Sequence, residues 1–242
     1  MSKARFVATC GLLAALSASP AAASATHAHT ALDAGSPDVI RTALLLTTLS
    51  VGPAIFISMT SFIRIAVVLA MVRHAFGMPE TPPNAVLVSL AMLLTAFVMA
   101  PTFSTINTQA LQPLMNGDIN VETAVQRGSA PLKHFMLAQV RREDIATIYE
   151  ISRTPLPATP DAVDIIKLVP AFILNELRVS FTIGFVILLP FLLIEIVVAS
   201  VLLALGMMMV PPATISLPVK LLMFVLIDGW ALVIEGVVGG FR

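Results

Sequence analysis

Six charged residues, Arg64, Glu176, Arg178, Glu195, Lys220 and Asp228, stand in or beside long apolar runs, and Glu235 follows them near the end of the last run. A charge at the centre of a bilayer costs at least about 2.5–3.5 kcal/mol. Such residues must face neighbouring helices, other subunits or water rather than lipid. Two kinds of chemistry use them: a proton or ion relay through the membrane, or ion pairs and hydrogen bonds that fix an assembly. The residue types alone leave both open.

A second group is apolar. Met207, Met208 and Met209 form a triplet, followed after Val210 by Pro211 and Pro212. Methionine is unbranched and polarisable, so it packs against irregular shapes and can repack. A ring of such side chains from several subunits would close a pore to ions and water and still deform around a passing polypeptide. The proline pair prevents the helix from continuing and presents the triplet as a loop. Three methionines at a helix end are also ordinary apolar filler, and the spacing does not choose.

Other chemistries have no residues to carry them. The four histidines, His27, His29, His74 and His134, are scattered outside the apolar runs. There is no His-Glu-x-x-His, Gly-x-Ser-x-Gly or phosphate-binding P-loop pattern. Asp228 is the single aspartate in an apolar run, so no aspartate pair forms. His27 and His29 lack the further ligands of a stable metal site. The sequence therefore predicts no enzyme, no cofactor and no metal. Cys10 is the one cysteine, within a segment expected to be removed, which excludes disulfide and thiolate chemistry. Lys and Arg number 14 and so do Asp and Glu, a net charge of zero that gives nucleic acid no purchase.

The elements that position these residues are apolar helices. Hydrophobic residues make up 57% of the 242 and charged ones 12%, about half the share of a soluble domain; mean hydropathy is +0.95. At the N-terminus, Lys3 and Arg5 precede a short apolar run, Phe6 to Leu16, and then small residues. The run is too short to cross roughly 30 Å of hydrocarbon. Residues 1–23 read as a signal peptide, cleaved after Ala23 or Ala25, and 24–41 as a flexible tail. Residues 42–101 read as a first helical hairpin. Its first run, Thr42 to Ile63, is kinked at Gly52-Pro53, and a proline-rich turn, Gly77 to Pro83, leads to a second run, Asn84 to Ala100, ended by Pro101. Residues 102–164 mix both charges. Leu132, Phe135, Val140, Ile145 and Ile148 fall at helical spacing with a phase slip near Arg141 to Asp144, so this stretch reads as a small periplasmic helical domain. Residues 165–242 read as a second hairpin region turned around Met207 to Pro218. Gly184, Gly206 and Gly229 serve there either close helix approach or flexibility.

An exported N-terminus places Arg64, Arg73 and Lys220 on the cytoplasmic side, as the positive-inside rule requires, with four spans in a bacterial inner membrane. A lone four-span chain cannot hide all the buried charges. The expected fold class is therefore an all-α membrane protein, of helical hairpins with a small extracytoplasmic helical domain, that joins an oligomeric helical complex in which some helices never meet lipid.

Longer motifs sharpen this reading. Met59 to Leu69 (MTSFIRIAVVL), Thr81 to Pro101 (TPPNAVLVSLAMLLTAFVMAP), Pro131 to Leu137 (PLKHFML) and Leu168 to Leu177 (LVPAFILNEL) lead to Ile183 to Trp230, which contains ALGMMMVPPATISLPVKLLMFVLIDGW. In order and spacing these blocks resemble the FliP/SctR family of type III export gate subunits, over most of the chain after residue 23. Glu195 stands where that family commonly has Asp, and Asn175 where it commonly has Ser. The signal peptide, the external domain and the proline pair after MMMV favour the flagellar FliP branch over the alternative, the gate subunit of virulence injectisomes. A secondary transporter is a weaker alternative, because the two hairpins do not read as repeats. The resemblance implies a core channel-forming subunit of the flagellar export gate in the flagellar basal body. It implies a pentameric ring of copies with FliR, surrounded by FliQ, with FlhB and FlhA as partners and unfolded flagellar proteins as the cargo. It implies that Met207, Met208 and Met209 form the pore gasket, and it favours an assembly role for the six charges.

Overall fold

The computed structural model describes residues 37–77 and 80–241. The expected signal peptide, Cys10, His27 and His29, and most of the expected tail, lie outside the described residues. Contacts divide the chain into two units, Met1–Ala54 and Ile55–Arg242.

The described part of the first unit is the start of one helix, α1 (Pro37–Met59), which runs unbroken through Gly52 and Pro53. The second unit contains the end of α1 and then α2 (Phe62–Ala75), α3 (Asn84–Ile106), α4 (Val121–Gln139), α5 (Arg142–Ile151), α6 (Ile165–Ala204), α7 (Pro212–Leu226) and α8 (Gly229–Val238). No strand occurs among the described residues.

The run expected from Thr42 to Ile63 is not one helix. The chain turns by 77° between Met59 and Phe62. At the break Thr60 donates its hydroxyl to the Phe56 carbonyl at 2.8 Å and accepts from the Phe62 N–H at 3.4 Å. The side chain thus takes over backbone partners that a continuing helix would have used. The proline-rich turn joins α2 to α3 as expected, and the two helices pack together.

Pro101 does not end α3. The helix continues to Ile106, widens through a π turn at Asn107–Leu111 and runs on to Met115. Proline removes the N–H that would bond the carbonyl four residues back, while the carbonyl of Pro101 itself accepts from the hydroxyls of Ser104 (2.8 Å) and Thr105 (2.9 Å). An apolar helix packed among neighbours tolerates such a proline. Pro218 likewise lies inside α7, so the turn of the second hairpin is shorter than Met207 to Pro218.

Two cores organise the second unit. In one, α2 is the axis. Ile65, Val68, Leu69, Val72 and Ala75 repeat at three- and four-residue steps and are 0–4% exposed, so they form one face. Leu87 and Ala91 of α3, Phe191 of α6, Phe224 of α7, and Val233 and Val237 of α8 close over it. Phe76, just past α2, meets both Phe191 (5.4 Å) and Phe224 (4.7 Å) edge to face, a favoured aromatic geometry.

The other core joins Met136 of α4, Ile145 and Tyr149 of α5, Val163, and Leu168, Ala171 and Phe172 of α6. The phase slip read near Arg141 is a true break: Val140 and Arg141 are extended between α4 and α5. The starts of α4 and α6 have side-chain caps. Asn120 accepts from the Thr123 N–H at 2.8 Å, and Asp164 accepts from the Ile166 N–H at 3.2 Å. The backbone N–H of Asp164 itself donates to the Tyr149 hydroxyl at 3.0 Å, tying the start of α6 to α5.

With 40 residues, α6 is about 60 Å long, twice the hydrocarbon thickness. It serves both cores, the one with Met136 by its first turns and the one around α2 by Phe191. Among the described residues two helices, Asn84–Met115 and Ile165–Ala204, are long and apolar enough to cross a membrane. The count rises to four if two sharply bent pairs, Gly52–Met59 with Phe62–Ala75 and Pro212–Leu226 with Gly229–Val238, each form one span.

Candidate functional site

The methionine triplet sits in the turn between α6 and α7, and the sequence builds that turn by local rules. Gly206 has φ +76°, the left-handed conformation that ends a helix without a Cβ penalty. Its N–H donates to the Leu203 carbonyl at 3.0 Å, and the Met207 N–H donates to the Leu202 carbonyl at 2.9 Å. These two bonds are the Schellman pattern, which satisfies carbonyls that the helix end would leave open. On the far side Pro211 caps α7 in an extended conformation and Pro212 takes its first position, where the missing N–H costs nothing. Between these two punctuation marks the triplet projects outward. Met207 is 45% exposed, Met208 80% and Met209 97%, so none of the three is core filler within this chain.

Five of the six charges form ion pairs. Arg64 of α2 meets Glu176 of α6 twice, Nε to Oε2 at 2.9 Å and Nη2 to Oε1 at 2.5 Å, with side-chain exposures of 2% and 0%. The same guanidinium donates to the Gly240 carbonyl at 3.1 Å and to Gln139 Oε1 at 3.5 Å, and the Phe241 ring lies 3.7 Å from its Cζ. One cation therefore gathers α2, α4, α6 and the residues after α8. Planar, two-pronged pairing of this kind is what distinguishes Arg from Lys.

Lys220 of α7 pairs with Glu195 of α6, Nζ to Oε2 at 2.6 Å. Lys220 is buried and Glu195 is partly exposed. Arg178 pairs with Asp144 of α5, Nη2 to Oδ1 at 2.6 Å and Nη1 to Oδ2 at 2.9 Å. Asp144 was not among the expected site residues. It lies in a polar segment, where nothing local separates a buried acid from a solvated one. Asn175, beside Glu176, also acts at long range: its side-chain amide donates to the Gln139 carbonyl at 2.9 Å.

Asp228 stands apart. It lies at the break between α7 and α8, where the chain bends by 67°. It adopts a left-handed conformation (φ 50°, ψ 54°), uncommon for a residue other than glycine. Its carboxylate has no ion pair or hydrogen bond among the described residues, and neither has that of Glu235.

The three glycines separate by role. A Cβ on Gly184 would run into the Met71 side chain, and one on Gly229 into the Phe224 ring, so both serve close approach. Gly206 instead supplies the left-handed turn.

The geometry is that of a helical scaffold, cross-braced by buried ion pairs, that carries an exposed loop of methionines. The FliP family profile matches residues 45–237. Over 202 residues the chain is 47% identical to "Flagellar biosynthetic protein FliP" of Pectobacterium carotovorum subsp. carotovorum, covering 84% of this chain and 78% of that protein. The proteins of the same name from Caulobacter vibrioides and Bacillus subtilis are 47% and 46% identical over 84% of this chain, covering 77% and 91% of their own lengths. The chain belongs to the FliP family.

Proposed function

We propose that this chain is the core channel-forming subunit of the flagellar type III export apparatus. It is a multi-pass protein of the bacterial inner membrane within the flagellar basal body, and it passes unfolded flagellar proteins outward. Family membership supports the flagellar role, since the relatives are named for flagellar biosynthesis. The observation that carries the channel role is the Met207–Met209 loop. It is a soft, apolar, outward-facing triplet held at the end of a long hairpin.

In this reading copies of the chain form a ring, a pentamer with FliR and surrounding FliQ, in contact with FlhB and FlhA. The methionines of neighbouring copies converge to seal the channel. The chain supplies no covalent chemistry and no cofactor; it supplies a path and a closure. Residues 1–23 are the signal peptide, 24–41 the tail, and 102–164 the periplasmic domain between the hairpins at 42–101 and 165–242. Arg64, Glu176, Arg178, Glu195 and Lys220 hold the helices in place, and Asp228 serves the assembly. The large exposed apolar faces support burial against lipid or partner chains: Phe97 is 75% exposed, Val225 74% and Leu226 75%.

An in-frame deletion of the gene tests the proposal. Flagellar filaments and secreted filament protein should be lost while other exported proteins are unaffected, and the intact gene should restore them. A deletion strain that still secretes filament protein contradicts the proposal.

A further inference from the structure

The two arms of the second hairpin are joined by a narrow stripe. On α7 the buried residues are Ser216, Lys220 and Phe224, one turn apart. The remaining faces of α7 are also apolar, with Leu222 61%, Val225 74% and Leu226 75% exposed. On its exposed faces a slip only exchanges one leucine or valine for another, so outside Phe224 little apolar packing selects one rotation or register. A directional contact is needed, and Lys220 to Glu195 is the one ion pair between the arms among the described residues, at 2.6 Å.

A second contact shows that this pair lies in a consistent register. Phe191, one turn before Glu195, stands 6.3 Å from Phe224, one turn after Lys220. Both pairings obey the same antiparallel alignment. The residues equidistant along the chain from the members of each pair are Met207 and Met208.

We propose that the Lys220–Glu195 ion pair is the register latch of the hairpin, making both residues positioning residues that fix the height and facing of the methionine loop. The proposal rests on the reading of that loop as the channel seal. A polar residue buried in an apolar helix interface sets register at a cost in stability. Sliding by one residue turns α7 by about 100° and moves it about 1.5 Å, which takes the Lys220 ammonium off its counter-ion. Removing the acid reverses the preference: an ammonium that is 5% exposed and unpaired gains by any slip that brings it to water.

The test reads the distance between spin labels on the full chain in its assembled complex, with Cys10 replaced and labelled copies diluted by unlabelled ones. Leu193→Cys and Leu222→Cys place the labels on exposed sites of the two arms (64% and 61% exposed). The unaltered pair should give one narrow distance. Glu195→Gln and Lys220→Met should shift or broaden it by about 1.5–5 Å, one residue to one turn, and the exchange Glu195→Lys with Lys220→Glu should restore it. Should Lys220→Met fail to assemble, Glu195→Gln, a same-size change at a partly exposed position, carries the test. An unchanged distribution in the single variants overturns the latch, and so does failure of the exchange to restore it. Ion leakage of Met207→Ala/Met208→Ala/Met209→Ala gates is read separately. Absence of leakage there removes the seal but leaves the register result standing, so the two ideas fail independently.

Discussion

Arg64 and Glu176, 112 positions apart, form a two-pronged ion pair at 2.9 and 2.5 Å in which both side chains are almost fully buried. Neither charge has water to fall back on. The pair therefore stabilises the fold less through its own attraction than through the penalty that follows when one member is lost.

Glu176→Ala should cost about 3–5 kcal/mol, because Arg64 is left buried without a counter-charge. Replacing both members with methionine should cost much less than either single change. Thermal or detergent unfolding of the purified full chain measures this, with near-UV circular dichroism as the signal. By contrast Asp144→Asn strands Arg178, whose side chain is 47% exposed and can turn to water, so it should cost about 1 kcal/mol or less. Equal losses at Glu176 and Asp144 would show that burial of the stranded partner does not set the value of these pairs.

Gly184 allows α6 to lie against α2 at Met71. A Cβ there stands 3.2 Å from the Met71 Cβ and closer still to the sulfur and terminal methyl. Gly184→Ala should cost about 1–3 kcal/mol through overpacking, and Gly184→Leu should prevent stable assembly. Since the clash is with the flexible end of one side chain, Met71→Ala should recover most of the loss from Gly184→Ala. Additive losses in the double variant would place the strain elsewhere.

Gly206 ends α6 at φ +76°. An L side chain in the left-handed region costs about 1–2 kcal/mol, so Gly206→Val should loosen the turn that presents the methionines. The measurement is limited proteolysis at the loop in membranes. Faster cleavage is expected in Gly206→Val than in Gly206→Asn, because Asn tolerates this conformation.

Local features of the candidate site were legible in the sequence. The Pro211-Pro212 pair marks the loop that presents the methionines by rules that act within a few residues, whereas Gly206, read as a point of close approach or flexibility, is the left-handed residue that ends α6. The break near Arg141 also showed, because a slip in hydrophobic phase is local. Prolines 101 and 218 misled: each removes one N–H, a single loss that α3 and α7 carry without ending. Pair identity was not legible. Composition requires that Arg64, Glu195 and Lys220 be hidden, but partner choice is set by how α2, α6 and α7 cross. Asp144 looked like any surface acid until α6 brought Arg178 to it. Asp228, read with the other buried charges, stands without a partner among the described residues at the α7–α8 bend.

Closure of an export channel by Met207, Met208 and Met209 is read most directly from ion leakage across the membrane of cells carrying assembled gates in which all three are alanine. Leakage well above that of gates with the methionines intact is expected, at equal levels of assembled complex. Leakage equal to that of the intact gates would contradict it.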